Sequence, residues 1–212
     1  MSMWGQPPSA VRSSEATAFC CVGCIRPPSR TLFLGFLYRH ASQPMPAFTA
    51  LLHARNDALR LGRALETLLP CDEILVVLHS SQPGPQDAAK RIAREYGAKV
   101  VADTTGLTPS QCLRLARHDW ILCLEPRESL TEALAASLFE WKTEWKAKSE
   151  SPPEATAFSV FLREETPTGW QLDPAPQTRL VPRHWSHWQG LLPAPEPSAI
   201  PLEGALLRFT LP

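Results

Sequence analysis

The sequence has no apolar run long enough to cross a bilayer: its longest, Leu32 to Tyr38, falls far short of the roughly 20 residues a spanning helix needs. It has no excess of charge, with 21 basic and 21 acidic residues, which excludes the electrostatic footprint of a nucleic-acid binder or of a protein drawn to anionic lipid. Any charged ligand must therefore be held by local groups. Between Met1 and His40 there is no basic segment leading into an apolar stretch and a small-residue cleavage site, so no secretory signal is read there. The expectation is a cytoplasmic protein, free or peripheral at the inner membrane face. No second CxxC or His pair follows Cys21 and Cys24 at zinc-finger spacing, and Cys71, Cys112 and Cys123 sit in or beside apolar segments, where a thiol acts as a small hydrophobe. Neither a GxGxxG after the first strand nor a GxxxxGK[ST] is present, which removes the two best-known glycine-rich phosphate loops.

What the sequence has is a core. Hydrophobic residues make up 44% of 212 residues, enough for one domain of ordinary size. Residues 1–44 are rich in Pro, Ser, Arg and Cys without a period, and read either as a disordered leader or as a segment upstream of a biological start at Met45. From residue 45 to 150 apolar runs alternate with amphipathic ones, and residues 151–212 form a Pro-rich, aromatic extension expected to pack on the same domain.

The alternation reads as strand and helix in turn. Phe48 to His53 is a short apolar strand, followed by a polar turn and an amphipathic stretch carrying Leu59, Leu61, Leu65, Leu68 and Leu69. Pro70 stops that helix because it lacks a backbone N–H, and Glu73 to Leu78 follows as a second strand. Gln86 to Tyr96 is a helix closed by Gly97, and Ala98 to Ala102 a third strand. Thr108 caps a helix over Pro109 to Arg117, and Trp120 to Leu124 is a fourth strand. Ser129 with Glu132 reads as a capping box opening a long helix to Lys148; Thr156 to Leu162, Thr178 to Val181 and Ala205 to Thr210 are β-like. Such alternation predicts a mainly parallel sheet flanked by helices, with ligands beyond the carboxyl ends of its strands. The loops at residues 53–57, 79–85 and 125–128 then share one rim.

The order of Arg55-Asn56-Asp57, Cys71-Asp72-Glu73-Ile74-Leu75-Val76-Val77, Tyr96-Gly97-Ala98-Lys99-Val100 and Asp119-Trp120-Ile121-Leu122 resembles the front half of family 2 glycosyltransferases of the GT-A type. The branch it is most similar to is related to lipopolysaccharide core glycosyltransferases, and Gln177-Thr178-Arg179-Leu180 and Trp188-Gln189-Gly190 resemble that branch's acceptor-side strands. The resemblance implies a GT-A-like, Rossmann-like α/β fold with a short α+β extension. It implies transfer of a sugar from a nucleotide-sugar donor to a glycan or lipid-linked acceptor of the envelope or a polysaccharide. It also implies Mg²⁺ or Mn²⁺ held by an Asp-x-Asp motif after the fourth strand.

Here that place reads Glu125-Pro126-Arg127-Glu128. Glu125 keeps a carboxylate and is the candidate metal ligand; Arg127 cannot bind a cation, but a guanidinium there suits the donor diphosphate directly. Glu125 and Glu128 are the catalytic candidates, against a plainer role in a solvated loop. Arg55, Asp57, His79 and Arg127 are the donor-binding candidates, with Leu78 where the family has the Asp that reads the base. Trp188 and Arg179 are the acceptor-side candidates, against a packing role for the Trp and His residues near 185. The family's Gly-x-x-His-Glu appears as Gly190-Leu191-Leu192-Pro193-Ala194, without imidazole or carboxylate, and a later His as Arg208. Two functions follow: an active transferase, or a GT-A-like binding or scaffold module that has lost turnover.

Overall fold

The computed structural model describes residues 46–55, 58–79, 86–147 and 157–210. In chain order its elements are β1 (Phe48–Ala54), α1 (Ala58–Glu66), β2 (Glu73–His79), α2 (Gln86–Glu95), β3 (Lys99–Asp103), α3 (Pro109–Leu115), β4 (Trp120–Leu124) and β5 (Glu128–Leu130). They continue with α4 (Glu132–Ala147), β6 (Phe158–Thr166), β7 (Gly169–Leu172), β8 (Gln177–Pro182), β9 (Trp188–Gln189), β10 (Leu192–Pro193) and β11 (Ile200–Arg208).

One sheet runs in the order β3-β2-β1-β4-β8-β6-β11-β5, with β7 pairing β6. The pairings among β3, β2, β1 and β4 are parallel. Every residue of β1 is buried, which is why it reads as a mostly apolar run, interrupted by Thr49 and His53: both its faces are covered. Beyond β4 the sheet changes character, because β8 is antiparallel to β4 and β6 antiparallel to β8, while β11 is parallel to β6. The Pro-rich second half thus extends the same sheet.

The core lies on both faces. Residues of one pleat of β1 (Phe48, Ala50, Leu52, Ala54) meet Leu61 and Leu65 of α1, Ala89 and Ala93 of α2, and Leu134, Leu138 and Trp141 of α4. Leu51 on the other pleat meets Cys112 and Leu113 of α3, with Trp185, Trp188 and Leu192 closing that side. Each fully buried Leu contributes about 1.5–3 kcal/mol relative to exposure. At the amino ends of the strands Asp72 accepts from the Phe48 N–H at 2.9 Å and from Lys142 Nζ at 2.6 Å, so a buried ammonium ties α4 to the start of β1.

Thr108 caps α3 as expected, forming a capping box with Gln111, and Gly97, at φ +72°, closes α2 in the left-handed conformation glycine favours. Two expectations fail. Leu59 and Leu69 are 91% and 85% exposed, because α1 ends at Glu66 and its inward stripe is Leu61, Ala64 and Leu65, followed by Leu68. Ser129 does not cap the long helix: it lies within β5, pairs with Leu207 and donates its hydroxyl to the Arg63 carbonyl, while Thr131 Oγ1 accepts the Leu134 N–H. Burial of residues 128–130 against β11 outweighs the local capping signal. The close packing of the start of α4 on β11 depends on Gly204, at φ +89°, where a Cβ would stand 2.3 Å from the Leu134 nitrogen.

Candidate functional site

At the carboxyl ends of β1, β2 and β4 lies an open cleft of about 450 Å³, lined by residues that include His53, Arg55, Arg60, His79, Glu125, Arg127 and Gln189. Three arginines, Arg55, Arg60 and Arg127, and one acidic residue, Glu125, are among the residues that line this space. The two walls are built differently.

On the first wall three strand ends put polar residues side by side. Asp103 ends β3 and pairs in register with His79 at the end of β2. Its Oδ1 accepts the backbone N–H groups of Thr105, Gly106 and Leu107 at 3.1, 2.7 and 2.9 Å. Its Oδ2 lies 2.7 Å from His79 Nδ1. His79 Nε2 lies 2.8 Å from His53 Nδ1, and the rings stack with centroids 5.1 Å apart. His53 Nε2 is buried and has no hydrogen-bond partner among the described residues. Burial would raise the Asp103 pKa, but the N–H of Leu107, the His79 hydrogen bond and the N–H groups of Gly106 and Thr105 together hold it below the usual carboxylate value. Burial first, and His79 next, push the His53 imidazole down to about 4 against a smaller opposing pull from Asp103.

The second wall is an ion-pair network. Glu128, fully buried, accepts from Arg179 Nη2 and Arg208 Nη2 at 2.8 Å each through Oε1, and from the Glu125 N–H at 2.9 Å through Oε2. Arg179, 1% exposed, also donates to Gln177 Oε1 and to the Cys123 carbonyl. Glu125 Oε2 lies 3.0 Å from Arg127 Nε and 3.5 Å from Arg208 Nε. Hard cations need carboxylate oxygens free to turn toward them. Here Glu125 and Glu128 face three guanidiniums, Arg127, Arg179 and Arg208, so the donor set does not fit a divalent cation as arranged. It fits a negatively charged ligand better.

Of the residues singled out from sequence, Arg55, His79, Glu125 and Arg127 are brought together around the cleft. Glu128 and Arg179 are buried in the network, off the cleft lining. Trp188 is half-buried and packs against the apolar cluster around Leu51 and Cys112, and Trp185 Nε1 donates to the His187 carbonyl at 2.6 Å. Asp57 lies outside the described residues. Sequence reasoning missed His53, Arg60 and Asp103. The available signal was positional: His53, His79 and Asp103 each fall at or next to the carboxyl end of one of three neighbouring parallel strands.

No protein-family model matches the chain, and no curated protein matches it in sequence. Among solved structures, TarS of S. aureus shares 14% identity over 65% of this chain and 28% of its own, with a TM-score of 0.41. A mycobacterial protein shares 15% identity over 57% of this chain and 42% of its own, also at a TM-score of 0.41. Glucosyl-3-phosphoglycerate synthase from Mycobacterium tuberculosis, solved with Mn²⁺, UDP and glucosyl-3-phosphoglycerate, shares 13% identity over 56% of this chain and 43% of its own, at a TM-score of 0.36. The chain thus spans less than half the length of each of these structures.

Proposed function

We propose that this protein binds a nucleotide-sugar donor in the cleft at the carboxyl ends of β1, β2 and β4, and transfers the sugar to a hydroxyl of an envelope glycan, a polysaccharide or a lipid-linked acceptor. The observation that carries this reading is the set Arg55, Arg60 and Arg127 around one carboxylate in the cleft. A diphosphate is the common biological ligand that asks for such a set, and planar guanidiniums can neutralise its oxygens in bidentate pairs. In this reading Arg127 takes the place of a divalent cation, and leaving-group charge is balanced by fixed positive side chains.

Calorimetric titration of the full chain with UDP-, GDP- and dTDP-sugars, in EDTA and in Mn²⁺, tests it. At least one donor is expected to bind in EDTA, with Arg127→Ala weakening it about tenfold or more. Binding that requires Mn²⁺ and ignores Arg127 would sink the metal-free reading, and no binding to any donor would sink donor recognition altogether.

A second reading, a binding module without turnover, is favoured by one observation: the carboxylate at residue 128 is locked between Arg179 and Arg208. It is distinguished by donor binding without release of nucleoside diphosphate in the presence of candidate acceptors.

A further inference from the structure

Arg127 brings to the cleft a charge that is already matched. Its Nε donates to Glu125 Oε2 at 3.0 Å, and the two side chains, both among the residues lining the cleft, keep contact with solvent at 40% and 29% exposure. The hydrogen bond to Glu125 is the largest of the influences that raise the Arg127 pKa, with the charges of Glu125, Glu128 and Glu164 adding to it against burial. The guanidinium therefore stays charged, and any contest for it is between the Glu125 carboxylate and another anion. Glu125 is not committed to Arg127. The same Oε2 lies 3.5 Å from Arg208 Nε, on a side chain that is 15% exposed and pinned by buried Glu128 at 2.8 Å. The Glu125 backbone is anchored separately, its N–H donating to Glu128 Oε2 at 2.9 Å. One carboxylate thus hangs between two guanidiniums of unequal freedom: Arg208 is clamped at a buried partner, whereas the Arg127 side chain stands partly in solvent. Releasing Arg127 leaves Glu125 beside a cation, which avoids the penalty of stranding a charge. The contact with Glu125 runs through Nε, and a phosphate group can take two N–H donors of the same fork in parallel.

We propose that Glu125 is a built-in competitor for the ligand: it holds the Arg127 guanidinium as an internal anion, and an incoming diphosphate displaces it toward Arg208. This rests on the donor-binding reading above and adds the regulation of that site. Glu125 then sets a threshold. A weakly charged ligand does not offset the broken pair, whereas a diphosphate has two charged groups to offer the arginines at residues 55, 60 and 127. The role is opposite to the one a metal site would give this residue. A carboxylate that ligates a cation assists anion binding, and one that occupies an arginine opposes it, so the sign of a single substitution separates the two.

Titration of the full chain with inorganic pyrophosphate and with UDP-, GDP- and dTDP-sugars, in EDTA at about 0.15 M salt, reads that sign. Glu125→Gln keeps the side chain's size and the backbone contact to Glu128, and it should tighten pyrophosphate binding about threefold to tenfold. Glu125→Ala, which brings no amide donor of its own, should move affinity in the same direction. In an Arg127→Ala background Glu125→Gln should gain about twofold or less, because the pair it releases is already gone. Unchanged or weaker binding by both Glu125 variants would overturn the proposal by making Glu125 neutral or a contact for the ligand. An equal gain in the Arg127→Ala background would overturn it by making Glu125 a plain source of repulsion.

Spectra of ¹⁵N-labelled arginine side chains give a second reading. The Arg127 Nε–H resonance, identified by its loss in Arg127→Ala, should shift in Glu125→Gln and should shift in the wild type when pyrophosphate is added. A resonance that bound pyrophosphate leaves in place would overturn displacement. Donor sugars that bind the wild type and gain nothing from Glu125→Gln sink this inference and leave the donor-binding reading standing. Donors that bind Glu125→Gln but not the wild type support the competitor and sink that reading, and no binding of any probe by either protein sinks both.

Discussion

The two walls of the cleft stand on the same rim of the same sheet, yet they treat polar groups in opposite ways. The wall around Glu128 is saturated, with two guanidiniums on one oxygen of a fully buried carboxylate and the Glu125 N–H on the other. The wall around His53 is satisfied from Asp103 inward and ends on a buried ring nitrogen, His53 Nε2, that has no partner among the described residues. A closed network fixes shape and charge, whereas a partly satisfied one leaves a buried polar atom at a cost in stability. The difference teaches where the site is stiff and where it responds to acid: the Glu128 carboxylate that sequence reasoning favoured belongs to the rigid side, and His53, whose imidazolium is disfavoured by burial, to the side that responds to acid.

The comparison is broken most directly at Glu128. Replacing it with Ala leaves Arg179 buried without its carboxylate, and a loss of about 3–5 kcal/mol in urea unfolding is expected; a loss below about 1 kcal/mol would mean the network is hydrated and the walls alike.

Acid probes the other wall. The His53 pKa lies near 4 in the folded protein and near 6.5 in the unfolded chain. The folded state binds fewer protons over this interval, so the stability His53 contributes is full above pH ~6.5 and falls as the pH drops toward 4. The size is up to about 3 kcal/mol. Asp103 adds a loss only at lower pH, because its depressed pKa keeps it ionised until the pH falls below the ordinary carboxylate range. His53→Phe should flatten the unfolding midpoint between pH 6.5 and 4, and an unchanged slope would show that His53 is not buried in its neutral form.

The smallest stability change sharpens the contrast within the second wall itself. The Arg127 side chain is 40% exposed and pairs with a partly exposed Glu125, so Arg127→Ala is expected to cost less than about 1 kcal/mol of stability while weakening donor binding. A larger stability loss would place Arg127 with the buried clamp.

Much of the fold could be read from the chain because the central parallel strands β1, β2 and β4 are largely buried on both faces. Phe48–Ala54 and Trp120–Leu124 announce themselves as short apolar runs, and Gly97 and Thr108 as helix punctuation. What misled was local chemistry overridden at a distance: Ser129 has the sequence of a helix cap and the surroundings of a strand, because its partner Leu207 is 78 residues away. The site was legible on one side only. Arg55, His79, Glu125 and Arg127 follow from the rule that strand ends face ligands, together with a family likeness. His53 and Asp103 became visible only through the register that sets β3 beside β2 and β2 beside β1. No spacing in the sequence encodes that contact.

The guanidinium of Arg208 reaches Glu128, the Phe209 N–H donates to the Arg127 carbonyl at 3.0 Å, and Arg63 lies 4.2 Å over the Phe209 ring. A ribosome-bound intermediate that has emerged through α4 already carries Glu125, Arg127 and Glu128, yet neither Arg179 nor Arg208 has left the exit tunnel. Until they do, Glu128 must remain hydrated and β5 lacks its partner strand β11. A translational stall before residue 200 would leave a sheet with its parallel half formed and its acidic loop unclamped, an attractive target for chaperones and quality-control proteases.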